Sequence, residues 1–203
     1  MEILNLIHHK PTTCYTGNAY LMTGDWNTID DVNTLVDVGR DPDIISTIED
    51  ASTGVGKKRI AQVILTHDHY DHTTMLEKIR EIYSPVVCAY SRNFPGVDRV
   101  LHDGDMLRCG DRDFRVIWAP GHSSDSICLY CPADGVLFTG DNPLRVAARD
   151  LGYSDAFVAA MGYIASLDVR VVYPGHGMPY SPSPLPAGKR PHHRQHTHAQ
   201  HEE

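Results

Sequence analysis

The sequence has little of what marks secreted, membrane or nucleic-acid-binding proteins. Its five cysteines are an odd number at irregular spacing, and its first residues are neither basic nor strongly apolar, so we expect a cytoplasmic protein with reduced thiols. No apolar run approaches the roughly 20 residues that span a bilayer, so no membrane anchor of that kind is expected. The 18 basic residues are scattered and are outnumbered by 26 acidic ones, giving a net charge of −8. This balance disfavours nucleic acid as a partner and favours a small-molecule substrate.

The length and the composition predict one domain followed by a tail. With 203 residues, the chain can bury a core of ordinary size, and we assign residues 1–180 to a single domain. From Ser181 the composition changes to proline and histidine, which predicts a disordered tail over 181–203. Histidines in such a tail could bind metal ions weakly. A non-catalytic metal-binding protein, with the tail as its working part, is therefore one alternative to an enzyme.

Short apolar and β-branched runs alternate with helical patterns along the domain. Helices are predicted over 43–51 and 73–82 and after a capping Ser154. The expected inner faces are Met75, Leu76, Ile79 and Ile82 in the second helix, and Phe157, Val158, Met161, Ile164 and Ala165 in the third. Strands are predicted at 3–7, 19–22, 34–38, 60–65, 86–89, 114–118, 126–131, 136–139 and 170–173. This order predicts two packed sheets with helices outside them, a layered α/β architecture.

Cys128 and Cys131 form a CxxC pair inside a predicted strand. Residues three apart in a strand point to opposite faces, so the two thiols are poorly placed for a disulfide or for one shared metal ion. We therefore expect two buried structural thiols.

The densest group of potential metal ligands is His67-Asp68-His69-Tyr70-Asp71-His72, directly after the predicted strand 60–65. His67 and His69 are two residues apart, so in an extended segment they point the same way and can hold one ion. Asp71 and His72 follow where the chain turns into a helix and can face a second ion. Asp68 points the other way and is expected at most to orient a ligand.

Three more potential ligands follow predicted strands in glycine-containing loops: His122, Asp141 and His176. Glycine lets the backbone approach a metal ion closely, and the preceding strand fixes the position of the side chain. Asn142, Arg145 and Tyr180 lie near these loops and could touch a substrate, but capping or packing explains them equally well. His8, His9 and His102 lie outside the motifs and are assigned no role.

In order and spacing, these motifs resemble those of the metallo-β-lactamase superfamily over about residues 3–180. The resemblance implies a four-layer αβ/βα sandwich with the site at one edge of the two sheets. It also implies that one ion is held by His67, His69 and His122, and a second by Asp71, His72 and His176, with Asp141 bridging both. Asp71 and Asp141 are the two carboxylates to which we assign catalytic roles.

The chemistry of these side chains agrees with hydrolysis. Three neutral imidazoles leave an ion a good Lewis acid, which lowers the pKa of bound water to about 7. Nitrogen and oxygen ligands without thiolate favour zinc first, and iron or manganese are compatible. We therefore predict an enzyme with two divalent metal ions, in which a metal-bound hydroxide attacks a thioester or ester of a small molecule.

The sequences around His122 and Asp141 are most similar to the hydroxyacylglutathione hydrolases, also called glyoxalase II. Those enzymes usually carry a C-terminal helical region with basic residues, whereas the Pro- and His-rich tail follows here, so we expect a small thioester or ester and not specifically a glutathione derivative. A persulfide dioxygenase of the same fold, which uses one iron ion, is the main alternative. A lactonase and a phosphodiesterase also remain open, and the oligomeric state is not predicted.

Overall fold

A computed structural model describes residues 1–7, 14–24, 30–92, 94–144 and 152–182. Within these ranges no helix has both the length and the apolar character needed to cross a bilayer. The strands are β1 (Glu2–Asn5), β2 (Tyr20–Thr23), β3 (Thr34–Val36), β4 (Gln62–Ile64), β5 (Val86–Ala89), β6 (Arg99–Val100), β7 (Met106–Cys109), β8 (Arg112–Trp118), β9 (Ile127–Cys131), β10 (Val136–Gly140) and β11 (Val171–Pro174). The helices are α1 (Ile44–Asp50), α2 (Tyr70–Thr73), α3 (Leu76–Tyr83) and α4 (Asp155–Ile164).

The strands form two sheets. The first has the order β1-β2-β3-β4-β5-β6 and is antiparallel from β1 to β3 and parallel from β3 to β6. The second has the order β11-β10-β9-β8-β7 and is antiparallel except for the parallel pair β10 and β11. In both sheets the parallel strands end at the same edge, which brings the loops that follow them together.

Three hydrophobic layers hold the sheets and helices together. Val36 of β3 packs between the sheets with Phe114 and Phe138, whereas its neighbour Leu35 faces the opposite way, into the layer that also contains Ile79 of α3. The outer face of the second sheet packs on α4 through Phe157. This alternation follows from the two-residue period of a strand. The order helix, sheet, sheet, helix confirms the predicted four-layer α/β sandwich.

The predicted strands are all present, with ends shifted by a few residues, whereas β6 and β7 were not predicted. β6 has only two residues, and β7 is a four-residue edge strand in which Arg108 interrupts the apolar run. The predicted helix 73–82 is present as α3 but begins at Leu76, because the chain turns at Thr74 and Met75 after the separate short helix α2.

Some predicted inner-face residues are also wrong. Ile82, in the last turn of α3, is 41% exposed, and Tyr83 packs partly against the core instead. On α4, Val158 is 53% exposed and Ala165 is also exposed. Both lie roughly 80–100° around the helix from Phe157, outside its narrow buried stripe, which also includes Ala160. The capping prediction is confirmed, because the Ser154 side chain accepts a hydrogen bond from Phe157 N.

The CxxC thiols lie as predicted on opposite faces of β9. Cys128 packs in the layer under α4, and Cys131 packs between the sheets. Both are free, and burial raises the pKa of the Cys128 thiol to about 12. Because a buried neutral thiol is a poor nucleophile and a poor ligand, the pair is structural. Most of the predicted tail, residues 183–203, lies outside the described residues, so its disorder stays a prediction.

Candidate metal centre

The seven predicted ligands lie together at one edge of the sandwich. His67 and His122 follow β4 and β8 closely, and Asp141 and His176 follow β10 and β11. The two sheets are joined here by a hydrogen bond from Ile127 N to Thr66 O, at 2.9 Å. Five of the side chains therefore project from loops that follow buried strands, and Asp71 and His72 project from the short helix α2.

His67 and His72 form the buried floor of the site, and Asp37 holds His72 directly and His67 through Thr66. His72 Nδ1 lies 2.9 Å from Asp37 Oδ2, and the Thr66 hydroxyl donates to the same oxygen at 2.8 Å. Since that donation uses the only hydroxyl hydrogen of Thr66, the 3.0 Å contact between Thr66 Oγ1 and His67 Nδ1 requires the imidazole to donate. When each imidazole is neutral, both Nδ1 atoms carry hydrogen and both Nε2 lone pairs face the site.

His69, His122 and His176 form the outer wall and are more accessible. His69 Nδ1 and His122 Nε2 lie 2.9 Å apart, within hydrogen-bond distance of each other. The backbone N–H of His122 donates to Asn142 Oδ1 at 3.2 Å. The outer wall is thus fixed mainly through the backbone and through contacts between the rings.

Asp141 lies at the centre of the group. Its carboxylate oxygens are 3.2 Å from His72 Nε2, 3.3 Å from His176 Nε2, 3.5 Å from His122 Nε2 and 3.9 Å from His67 Nε2. Asp71 Oδ2 lies 3.2 Å from His176 Nε2. The Asp141 carboxylate therefore lies close to histidines of both the buried floor and the outer wall.

The donor atoms fall into overlapping sets of three, and within each set all atoms lie within 4.8 Å of one another. The sets are His67, His69 and His122; Asp71, His72 and His176; and His67, His72 and Asp141. The first two match the two ligand sets that the sequence predicted, and the third connects them through Asp141.

Glycines allow this close approach of backbone and ligand. A Cβ atom on Gly175 would lie 2.1 Å from Asp141 Oδ1, and one on Gly17 would lie 2.5 Å from His72 Cε1. Both distances are impossible for carbon, so any side chain at these positions would displace a ligand. The loop around Gly17 was not recognised as part of the site from the sequence.

The two buried histidines differ in the direction in which their pKa values are shifted. Burial lowers the pKa of His67 to about 4, so its imidazole is neutral at pH 7. Burial alone would lower the pKa of His72 as well, but the Asp37 and Asp141 carboxylates outweigh it and raise the pKa to about 10. For Asp141, burial acts to raise the pKa, yet the adjacent His72, His176 and His67 hold it at about 2. The centre of the site thus favours an anionic carboxylate with positive charge beside it.

These atoms fit a metal ion. His67 Nε2, His72 Nε2 and Asp141 Oδ1 are buried and make no hydrogen bond, although the last two lie 3.2 Å apart as an ion pair. An unsatisfied buried polar atom costs about 1–3 kcal/mol, so the convergence of these three atoms on one point fits a positively charged ligand. Imidazole nitrogen and carboxylate oxygen suit zinc, iron and manganese.

Asp37 is the functional residue that sequence reasoning missed. It is 2% exposed and has a φ of 57°, a left-handed conformation that aspartate tolerates better than most residues. The available signal was a charged residue inside an otherwise apolar stretch, Leu35-Val36-Asp37-Val38, which was assigned wholly to a strand. The strand ends at Val36, and Asp37 turns toward the histidines.

The remaining candidates divide into three groups. Asp68 and Tyr70 are exposed, and the Arg40 guanidinium lies 5.3 Å from the centre of the Tyr70 ring. Asn142 is buried and holds the His122 loop, whereas Tyr180 forms a backbone bridge with Val172. His102 is exposed beside Asp105, and Arg145, His8 and His9 lie outside the described residues.

A cleft of about 290 Å³ opens beside the carboxylate of Asp141. His122 and His176 line it on the polar side, and Pro143, Leu144 and Tyr180 contribute apolar surface. A small molecule that entered it would contact the donor atoms directly.

The sequence model of the metallo-β-lactamase superfamily matches residues 12–95 and 89–176 of this chain. A hydroxyacylglutathione hydrolase of Maricaulis maris is 36% identical over 85 residues, which are 40% of this chain and 33% of that protein. An atrochrysone carboxyl ACP thioesterase of Aspergillus fumigatus is 27% identical over 175 residues, covering 80% of this chain and 41% of the relative. This chain therefore spans less than half the length of these curated relatives.

Among solved structures, a metallo-β-lactamase family protein of Thermus thermophilus superposes with a TM-score of 0.65 at 21% identity, covering 88% of this chain and 74% of that one. At that identity the likeness supports the architecture alone. The match to the superfamily's sequence model, in contrast, covers most of the domain and includes all seven predicted ligands. The chain belongs to the metallo-β-lactamase superfamily.

Proposed function

We propose that this protein is a metal-dependent hydrolase that cleaves a thioester or ester of a small molecule. The observation that carries the proposal is the convergence of two sets of ligand atoms on Asp141, three of which are buried and make no hydrogen bond. The reaction class is supported by the curated relatives, which are named as a thioesterase and a hydroxyacylglutathione hydrolase.

The donor set supports two ions, with zinc expected first. His67, His69 and His122 would hold one ion and Asp71, His72 and His176 the other, with the Asp141 carboxylate between them. When bound, such ions supply Lewis acidity and a hydroxide nucleophile at neutral pH. Asp71 and Asp141 are the carboxylates to which we assign direct roles at the reacting centre.

The chain itself would orient the substrate and exclude water on one side. The floor made by His67 and His72 is buried, so attack from that side is closed to solvent. The cleft of about 290 Å³ is at the small end of ligand pockets, and its apolar surface at Leu144 and Pro143 suits a short acyl group. We therefore propose a small-molecule substrate. The five free cysteines agree with the cytoplasmic location expected from the sequence, which also stays a proposal.

The test is metal analysis by mass spectrometry on protein expressed without added metal, with thioester hydrolysis, ester hydrolysis and oxygen uptake measured on the same sample. We expect close to two zinc ions per chain, and hydrolysis that a chelator removes and added zinc restores. A single iron ion, with oxygen consumed in the presence of a persulfide, would contradict the hydrolase and favour a dioxygenase. Bound metal with neither activity would also contradict it.

A further inference from the structure

Tyr15 lies against one of the proposed ligands although nothing in the sequence motifs includes it. Its ring stacks on the His176 imidazole, with centroids 5.0 Å apart and planes at 25°. Its hydroxyl oxygen lies 3.2 Å from His176 Nε2. The side chain is 64% exposed, so it adds little to the buried core. Its contact with the histidine is therefore its distinctive feature.

The segment that carries Tyr15 is anchored to helix α2 and to the loop that follows β11. Gly17 N donates to Asp71 O at 3.0 Å, and Asn18 N donates to Gly175 O at 2.7 Å. The Asn18 side-chain amide also reaches Pro174 O, at 2.9 Å, and Gly177 O, at 2.8 Å. Because these bonds fix the chain two and three residues after Tyr15, its hydroxyl is positioned before any ligand arrives.

The nitrogen that Tyr15 contacts is the one that faces the carboxylates. His176 Nε2 lies 3.2 Å from Asp71 Oδ2 and 3.3 Å from Asp141 Oδ2. A nitrogen whose lone pair binds a metal ion cannot also accept a hydrogen bond. In the loaded site, the Tyr15 hydroxyl would therefore lose its partner while remaining beside His176, which lines the cleft next to Asp141.

We propose that Tyr15 is a catalytic residue whose hydroxyl donates a hydrogen bond to the substrate oxygen that gains negative charge during hydrolysis. The inference rests on the proposed function. The proton stays on the phenol oxygen, so Tyr15 acts by stabilising charge and exchanges no group with the substrate. A donor that is already held in place needs no reorientation during the reaction, which makes it more effective than a solvent molecule.

Other exposed tyrosines near the site are placed differently. Tyr70 lies under the Arg40 guanidinium, and Tyr180 is held through its backbone to Val172. Among the described tyrosines, Tyr15 is the one whose hydroxyl is found within hydrogen-bond distance of a site histidine. Tyr163, on α4, packs under Arg115 and belongs to no part of the site, so it provides a matched control.

The experiment compares wild type, Tyr15→Phe and Tyr163→Phe, each loaded with zinc. Phenylalanine keeps the ring that stacks on His176 and removes only the hydroxyl. We expect unchanged zinc content and a fall in kcat of roughly 10²-fold for Tyr15→Phe with p-nitrophenyl acetate or with a simple acetyl thioester. Tyr163→Phe should match wild type in both respects.

A second readout does not depend on turnover. Acetate, titrated calorimetrically into the zinc-loaded proteins, presents a charged oxygen of the kind that Tyr15 would contact. Loss of one hydrogen bond to a charged group should raise its Kd about tenfold in Tyr15→Phe and leave it unchanged in Tyr163→Phe. If no variant hydrolyses any substrate, the proposed function fails, and the acetate titration still decides the role of Tyr15.

Two results would overturn the role of Tyr15. The first is a Tyr15→Phe protein that keeps both the wild-type kcat and the wild-type affinity for acetate. The second is a visible absorption band in the iron(III)-loaded wild type that disappears in Tyr15→Phe, because a phenolate-to-iron band would make Tyr15 a metal ligand and not a donor to the substrate.

Discussion

The inner and outer histidines of the site differ in how the protein holds them. His67 and His72 are buried, and hydrogen bonds to Thr66 and Asp37 fix their ring nitrogens. On the outer side, the side chains of His122 and His176 are 30% and 32% exposed. Hydrogen bonds from the protein reach the His122 backbone through Asn142, whereas its ring contacts His69.

This difference indicates which part of the site is built in advance. For the inner pair, the protein's own hydrogen bonds already direct the Nε2 lone pairs toward the site. In the outer wall, His69 Nδ1 and His122 Nε2 lie 2.9 Å apart, a distance that is typical of a hydrogen bond between them. At least one of these rings must give up that bond to ligate an ion. We infer a rigid floor and a wall that adjusts when metal binds.

The largest expected effect comes from removing the group that joins floor and wall. Asp141→Ala should abolish hydrolysis and lower the occupancy of both ions, because the carboxylate lies within 3.2–3.9 Å of histidines from both groups. The fold should be retained, since the hydrophobic layers do not include this residue. Metal content, activity and circular dichroism measure the three outcomes. Undiminished hydrolysis would refute the central role of Asp141.

Asp37→Asn tests how much the hydrogen bonds that hold the floor contribute to metal affinity. Asparagine also tolerates the left-handed backbone, so this change removes the charge and one acceptor without adding strain. Metal affinity should fall about 10- to 100-fold, as is typical for residues that orient a ligand histidine. Competition with a chromophoric chelator measures it. Asp68→Asn is the matched control, because it removes the same charge from an exposed residue in the same cluster and should change affinity little.

A smaller loss of metal affinity is expected from Asn142→Ala, which removes a hydrogen bond that fixes the outer wall. The Asn142 amide holds the His122 backbone and not its imidazole, so the ring can still reach an ion after a small shift. We expect the decrease in metal affinity to be at or below the lower end of that range, about tenfold. The same chelator competition measures it. If Asn142→Ala weakened binding more than Asp37→Asn did, the distinction between rigid floor and adjustable wall would be wrong.

The sequence was most informative where several signals agree. Every predicted strand is present, and the layered architecture followed from their order, because apolar runs that alternate with helical patterns leave few arrangements that bury both faces. The grouping of His122, Asp141 and His176 with the cluster at 67–72 was also predictable. Each follows a predicted strand, and the resemblance to the metallo-β-lactamase motifs grouped them with the cluster.

What the sequence did not reveal depends on contacts between distant segments. Asp37 is 35 positions from His72, and Tyr15 is 161 positions from His176. The local signal at Asp37 is only its charge inside an apolar stretch, and Tyr15 carries no pattern that distinguishes it from a surface aromatic residue. The same limit explains Ile82 and Val158, because helical spacing shows which residues share a face and not where the covering layer ends.

The smallest effect on metal binding and hydrolysis is expected from deleting the tail, whose histidines belong to neither the floor nor the outer wall. All seven predicted ligands lie within residues 67–176, and the last described backbone pairing is that of Tyr180 with Val172. A chain that ends after Pro182 should therefore keep its hydrolytic activity and the ions that resist washing with a weak chelator. The full chain serves as the control in parallel metal analysis. If the shortened chain lost all tightly held metal and all metal-dependent activity, the working histidines would be those of the tail, and the protein would be a metal-binding protein.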